Sequence, residues 1–195
     1  FKSDEGPSFS HTYVVSQADT YAIKAVAYDA VGNEAESDVA SIEVWQDLEK
    51  KAQMEAYVAQ VDSLIMEYRQ YRQVFNQAYS RALNMSPADP GWYEVTETFL
   101  VVKENREKLL TQAGGFRPTS EFQAAQVSLS SMLSAAIQAD TFAVQWAASL
   151  GTNTTAKSAI GTYSNTCQAH GSSFSASYNQ ARATYLGLGP STPPH

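Results

Sequence analysis

At Trp45 the spacing of apolar residues along this chain changes from two to about 3.6, and it stays there. Before the change, Tyr21, Ile23, Ala25 and Ala27 fall on one face of an extended segment, with Lys24, Val26 and Tyr28 on the other. That alternation is what a half-buried strand requires. After it, Leu48, Val58, Val61, Ile65, Tyr68, Phe75 and Tyr79, flanked by Tyr57, Leu64 and Tyr71, draw one broad apolar stripe. The spacing predicts a continuous helix from about Trp45 to Leu83, on the order of 55 Å long at the α-helical rise. No Gly or Pro separates Val44 from Trp45. The passage from strand to helix is therefore expected to be rigid.

Three further helices follow from the same reasoning. The run from Asn84 to Gly91 breaks the first helix, and Asp89 as N-cap with Pro90 at the first helical position opens the second. Trp92, Val95, Phe99, Val102 and Leu109 carry it to a stop at Gly114-Gly115. The third begins after Pro118 with Glu121 in its first turn, where the helix dipole favours an acid. Its stripe is Phe122, Leu129, Met132, Leu133, Ala136, Ile137, Ala143, Trp146 and Leu150, closed by Gly151. The fourth runs from about Asn153 to Leu186 on Ile160, Tyr163, Cys167, His170, Phe174, Ser177, Ala181 and Tyr185. Gly161, Gly171 and many Ser and Thr make it the most dependent on packing. Four amphipathic helices joined by short turns predict an up-down-up-down bundle.

The extended segment also carries a recognisable pattern. Ser10-His11-Thr12-Tyr13, then Thr20 to Asp29, then Gly32-Asn33 and Ser41-Ile42-Glu43-Val44 resemble the last three strands of a PKD (polycystic kidney disease) domain. Asp19 stands where that family has a Gly, the inward positions have shrunk to Ala25 and Ala27, and the upstream Trp-Asp-Phe-Gly-Asp-Gly signature is absent. The resemblance implies an extracellular β-sandwich spacer or binder, present in part, and hence a chain that is a piece of something longer. It also implies a structural role for His11 and Tyr13. The fold class expected is α+β, a partial Ig-like or PKD β-sandwich segment followed by a mainly antiparallel four-helix bundle. The corresponding division is 1–44 for the incomplete β segment, 45–186 for the bundle and 187–195 for a flexible tail. Three strands give one incomplete sheet, so residues 1–44 are not expected to fold alone.

Charge and composition narrow the function. Residues 1–44 carry eight acids against Lys2 and Lys24, which is six of the seven net negative charges. An acidic chain without a basic patch is a poor nucleic-acid ligand, because affinity there comes mainly from neutralised phosphates. No apolar run approaches the ~18 residues needed to span a membrane. Beyond Glu121 the only charged side chains are Asp140, Lys157 and Arg182, and so polar yet uncharged a surface is common in exported proteins. Cys167 is the single cysteine, which excludes an internal disulfide. An exported chain of that kind points to bacterial, archaeal or viral origin. The chain starts at Phe1, so any targeting sequence is expected to lie outside it.

Few side chains form chemical constellations. Cys167 and His170 lie one helical turn apart, a spacing compatible with a Cys/His pair or metal ligation, but also with two ordinary residues of the core seam. The acid pairs Glu94 with Glu97 and Glu104 with Glu107 lack the Glu-x-x-His of a di-metal bundle, and Lys103, Arg106 and Lys108 interleave with the second pair as on a solvated face. Asp29, Glu34, Glu36 and Asp38 surround the Gly32-Asn33 turn and are the candidate calcium ligands, calcium preferring oxygen atoms from flexible loops. They read equally as a soluble acidic rim. Val26 and Tyr28, on a face the family leaves polar, and Trp45 at the junction are the candidate interface residues. Eleven tyrosines and three tryptophans invite a glycan partner, although most fall on the helical stripes. Asn153-Thr154-Thr155 fits a glycosylation acceptor, as does Asn84-Met85-Ser86 before a disfavouring Pro87.

The reading is a non-enzymatic structural or adhesive module of an exported, cell-surface or virion-surface protein, with no catalytic residue and no cofactor unless calcium binds. Its partners are upstream domains or other protein chains, with a second copy of this chain left open. The alternatives are an accessory region of a secreted hydrolase and a receptor domain that uses the groove of the bundle.

Overall fold

The structure, a computed structural model, describes residues 19–29, 31–44 and 48–191. The chain divides after Leu48 into two units. In the first, β1 (Asp19–Ile23) pairs antiparallel with β4 (Ala40–Val44), and β2 (Val26–Tyr28) with β3 (Glu34–Glu36). Both pairs belong to one long hairpin. Ile23 lies opposite Ala40 and Val26 opposite Glu36, so Lys24-Ala25 face the three residues from Ser37 to Val39. One extra residue on one strand is a β-bulge, and it interrupts the ladder. The unbroken alternation expected from Tyr21 to Tyr28 is therefore cut at Lys24-Ala25, where Ala25 N donates to Ser37 Oγ and Ser37 N donates to Ala25 O.

The tip of the hairpin follows its sequence closely. Asp29 Oδ1 accepts from Val31 N and Asn33 N, and Asn33 Nδ2 donates to Asp29 Oδ2 at 2.6 Å. Gly32 takes φ +87°, while Asn33 keeps a negative φ and serves through its side chain. The His11-Thr12-Tyr13 strand, Trp45 and the strand-to-helix junction lie outside the described residues.

The second unit is built from four helices: α1 (Leu48–Ala82), α2 (Trp92–Gly115), α3 (Gln123–Ala148) and α4 (Thr154–Leu186). A 3-10 turn at Ser120–Phe122 leads into α3. At 35 residues, α1 is about 50 Å long. Asn153 caps α4 by accepting from Ala156 N, and Gly187 ends it at φ +63° with its N–H on Arg182 O. Asp89 takes up Gly91 N, as a cap with Pro90 following would, although regular helix begins only at Trp92. At the other end of α2 the expected glycine stop is replaced. Gly114 and Gly115 stay helical, and the extended Phe116, two residues before Pro118, ends the helix.

The stripes meet in two adjoining cores. The first joins Tyr57, Val61, Leu64 and Tyr68 of α1 to the C-terminal part of α2, the N-terminal half of α3 and the C-terminal half of α4. The second joins Phe75 and Ala82 of α1 to the N-terminal half of α2, the C-terminal half of α3 and the start of α4. Tyr57 rings meet Phe116 and Phe122 at one end, while Tyr79, Trp92 and Trp146 meet at the other. The most extensive helix–helix contact is between α3 and α4. Their buried faces are rich in Ala and Gly, including Ala136, Ala139, Ala143, Ala156 and Gly171, and small side chains let helix axes come together. Against them α1 contributes mostly long and aromatic side chains.

Three residues placed on the apolar stripes are exposed instead: Leu48, Leu150 and Tyr185. Leu150 lies past the end of α3 at φ +54°, so its side chain has left the helical face. Met54, Ala78, Ala82 and Tyr178 are buried without having been expected there. The tail folds back as far as Ser191, whose N–H donates to Asn179 and whose hydroxyl meets Asp62.

Candidate functional site

Where the two cores meet, the helical face of α2 carries an arginine. Phe99, Val102, Arg106 and Leu109 follow one another at helical spacing, so Arg106 points inward with its apolar neighbours. It is 3% exposed, which corrects its assignment to a solvated charged face. Its countercharge is Asp140 on α3, fully buried between Ile137 and Ala143 on the stripe of that helix. Arg106 Nη1 donates to Asp140 Oδ1 at 2.6 Å. The guanidinium also lies over the rings of Tyr68 and Phe75, 5.1 and 5.4 Å from their centroids. Tyr68 belongs to the first core and Phe75 to the second. One cation thus joins both, in an arrangement that suits a delocalised, weakly hydrated guanidinium.

The pair is incompletely satisfied. Arg106 Nε and Asp140 Oδ2 are buried with no hydrogen-bond partner. Burial pushes the Asp140 carboxyl up to about 7, against the opposing pull of the Arg106 charge. A carboxylate held by one bond at one oxygen does not recover what it loses in leaving water.

Beside Arg106 is a cavity of about 130 Å³. Tyr68, Phe75, Arg106, Met132, Ala136 and Ala139 form its inner wall, and Arg72, Asn76, Ser164, Asn165 and Gln168 line its more exposed side. The opening exists because α4 has no fully buried residue between Ile160 and Gly171. Over those turns it presents Ser164, Asn165 and Gln168, while Tyr163, Cys167 and His170 are only half-buried. Cys167 lines the cavity and its Sγ lies 3.1 Å from the Tyr68 hydroxyl. Burial pushes the Tyr68 phenol up, further from ionisation. Cys167 thus packs half-buried against the first core and meets a hydroxyl on α1, and His170 is likewise half-buried.

The other sequence candidates lie elsewhere. Asp29 is drawn into its turn, its carboxyl held below the usual range chiefly by the Asn33 side chain. Glu36 pairs with Lys24, and Glu34 stands across the ladder from Tyr28. Among the described residues no group of three His, Cys, Asp or Glu side chains is placed to hold a metal ion. Glu94 pairs with Arg81 at 2.8 Å and Glu107 with Lys103 at 2.6 Å, so the acid pairs of α2 are divided among separate cations. Val26 and Tyr28 are both exposed.

The three isolated charges beyond Glu121 are each engaged. Asp140 holds Arg106, Lys157 lies over the Trp146 ring, and Arg182 donates to Asp62 Oδ2 at 2.6 Å. Among the described residues no helix is long and apolar enough to cross a membrane. Comparison of the chain with protein-family models, with curated proteins and with solved structures finds no match.

Proposed function

We propose that this chain is a non-enzymatic structural or adhesive module of an exported, cell-surface or virion-surface protein. In this reading the hairpin is part of a PKD-like sandwich, and the helices form an antiparallel, up-down-up-down bundle.

The observation that carries it is the exposure of apolar side chains along the hairpin. Val26, Tyr28, Val31 and Val39 are all exposed, Tyr28 at 68%. A two-stranded hairpin is marginal in water by itself and gains stability from a further strand or an apolar surface. A chain of the same or another protein, adding a strand or closing a second sheet, supplies both. The helical unit supports the same reading, since polar groups that are buried or half-buried join one helix to another: Tyr178 to Val58 and Asp62, and Gln126 to Tyr57 and Ala113.

Amide hydrogen exchange on the dilute 195-residue chain tests the reading. Amides of the β2–β3 ladder should exchange quickly while those of α2 and α3 stay protected, and concentration or an added partner should slow the hairpin. Strong protection of the ladder in the dilute chain would show a self-sufficient hairpin and remove the argument.

A further inference from the structure

We infer that the outer edge of β3 is a docking site for an extended cationic segment of another protein, which joins the hairpin as a third strand. This rests on the structural reading proposed above and names the chemistry of the partner.

The bonds at the two ends of the β2–β3 ladder fix which backbone groups are already used. Ser37 N donates to Ala25 O and Asp29 N donates to Asn33 O, each bond two residues along from the Ala27–Ala35 pair. In an antiparallel ladder, residues that bond inward alternate with residues whose N–H and C=O point outward. Glu34 and Glu36 are therefore the outward-pointing residues of β3, and Val26 and Tyr28 those of β2. Such an edge is a template for a further strand.

The side chains select the edge and its occupant. Register sets Tyr28 against Glu34 and Val26 against Glu36, so one face of the ladder carries two apolar groups bordered along β3 by two carboxylates. All four residues are exposed. Glu36 shares Lys24 in a pair whose side chains are 48% and 38% exposed, and so open a pair is weak enough to exchange with another cation. Glu34 pairs with no cation among the described residues. A second copy of this chain docked antiparallel on β3 would set these carboxylates against one another, which opposes pairing. From Asp19 to Val44 the sequence holds six acids and one lysine, so the field around the hairpin repels a copy and draws in a cationic chain. Lys or Arg at alternate positions of the incoming strand meets Glu34 and Glu36 on that face, and main-chain bonds along the edge supply the rest.

An end-blocked peptide of alternating Lys and Thr is the probe. Alternating Glu and Thr is the like-charged comparison, and alternating Lys and Gly carries the same charge without strand propensity. Each is titrated into the dilute full chain and followed by ¹H–¹⁵N NMR and amide exchange. The Lys-Thr peptide should shift the Glu34 and Glu36 amides saturably and slow their exchange, leaving those of Val26 and Tyr28 fast. The Glu-Thr peptide should bind at least about tenfold more weakly, and added salt should weaken the Lys-Thr complex. Glu34→Lys combined with Glu36→Lys should invert the preference while the α2 and α3 signals stay in place. The peptide comparison on the unmodified chain decides the matter even if that variant loses its hairpin. Equal binding of the Glu-Thr or Lys-Gly peptide, protection at Val26 and Tyr28 instead, or protection of Glu34 and Glu36 on concentrating the chain alone would each overturn the assignment. Failure of the Lys-Thr peptide on a fast-exchanging hairpin overturns it too and leaves the structural reading in place, whereas slow exchange of Ala27 and Ala35 in the dilute chain removes that reading itself.

Discussion

Arg106 on α2 and Asp140 on α3 form a hydrogen-bonded ion pair, 2.6 Å long, at the seam between two apolar cores. Neither side chain reaches solvent to any useful extent. A buried pair is weak evidence of stability, because the attraction must first offset the loss of hydration. Removing one partner is a different matter, since the other charge is then stranded.

Asp140→Leu should therefore lower unfolding free energy by about 3–5 kcal/mol, and Arg106→Met combined with Asp140→Leu should recover most of the loss. Urea unfolding of the single and double variants measures both. A double variant as unstable as Asp140→Leu alone would show that packing, and not the stranded charge, sets the cost.

The pair also predicts a pH dependence. With the folded Asp140 carboxyl raised to about 7 from an ordinary 3.8, the folded state binds a proton that the unfolded state releases between those values. Stability from this group is greatest below the lower value and is lost as pH rises to about 7, by on the order of 4 kcal/mol for the whole displacement. Glu121 works in the opposite direction. Its ion pair with Lys50 lowers it to about 2, so its contribution is lost on acidification. Asp140→Asn keeps an acceptor for Arg106 but cannot titrate. The difference between wild-type and variant unfolding curves, measured from pH 5 to pH 8, should slope downward with pH.

Two glycines should respond oppositely to alanine. Gly151 sits at φ +77° with a Trp92 ring carbon 2.6 Å from where a Cβ would be, so Gly151→Ala should cost about 2 kcal/mol or more. Gly161 lies on an exposed turn of α4 with nothing within 4 Å of its added Cβ. Gly161→Ala should stabilise by roughly 0.5–1 kcal/mol. Thermal melts of the two variants check the pair, and destabilisation by Gly161→Ala would mean that α4 is not a regular helix there.

Tyr178 closes another link, its hydroxyl donating to Val58 O at 3.1 Å and meeting Asp62 Oδ1 at 2.9 Å. Tyr178→Phe keeps the ring stacked on Phe174 and removes these bonds together with a longer one that the hydroxyl accepts from Arg182 Nη1. The expected loss is about 1–2 kcal/mol, read from urea unfolding. Hydrogen exchange should quicken first near Asp62 and Arg182, which share the network.

Much of this architecture was written locally. The helix spans, the Asn153 cap, the left-handed Gly187 and the Asp29-to-Asn33 turn each depend on residues within a few positions of one another, and the same few residues carry the signal. Asp140 and Arg106 also stood on their stripes, at the spacing of Ile137 and Ala143 in one case and Val102 and Leu109 in the other. That spacing was the available sign of their burial. What it could not contain was the partner, 34 positions away, because whether an inward charge is tolerated depends on which helix faces it. The bulge at Lys24-Ala25, the meeting of Cys167 with Tyr68 and the cavity beneath α4 are of the same kind. Amino-acid order determined the helices and which of their faces are apolar. Tertiary structure alone decided the pairs and the space between them, since ion pairing, desolvation and packing are set by distances between segments that periodicity does not record.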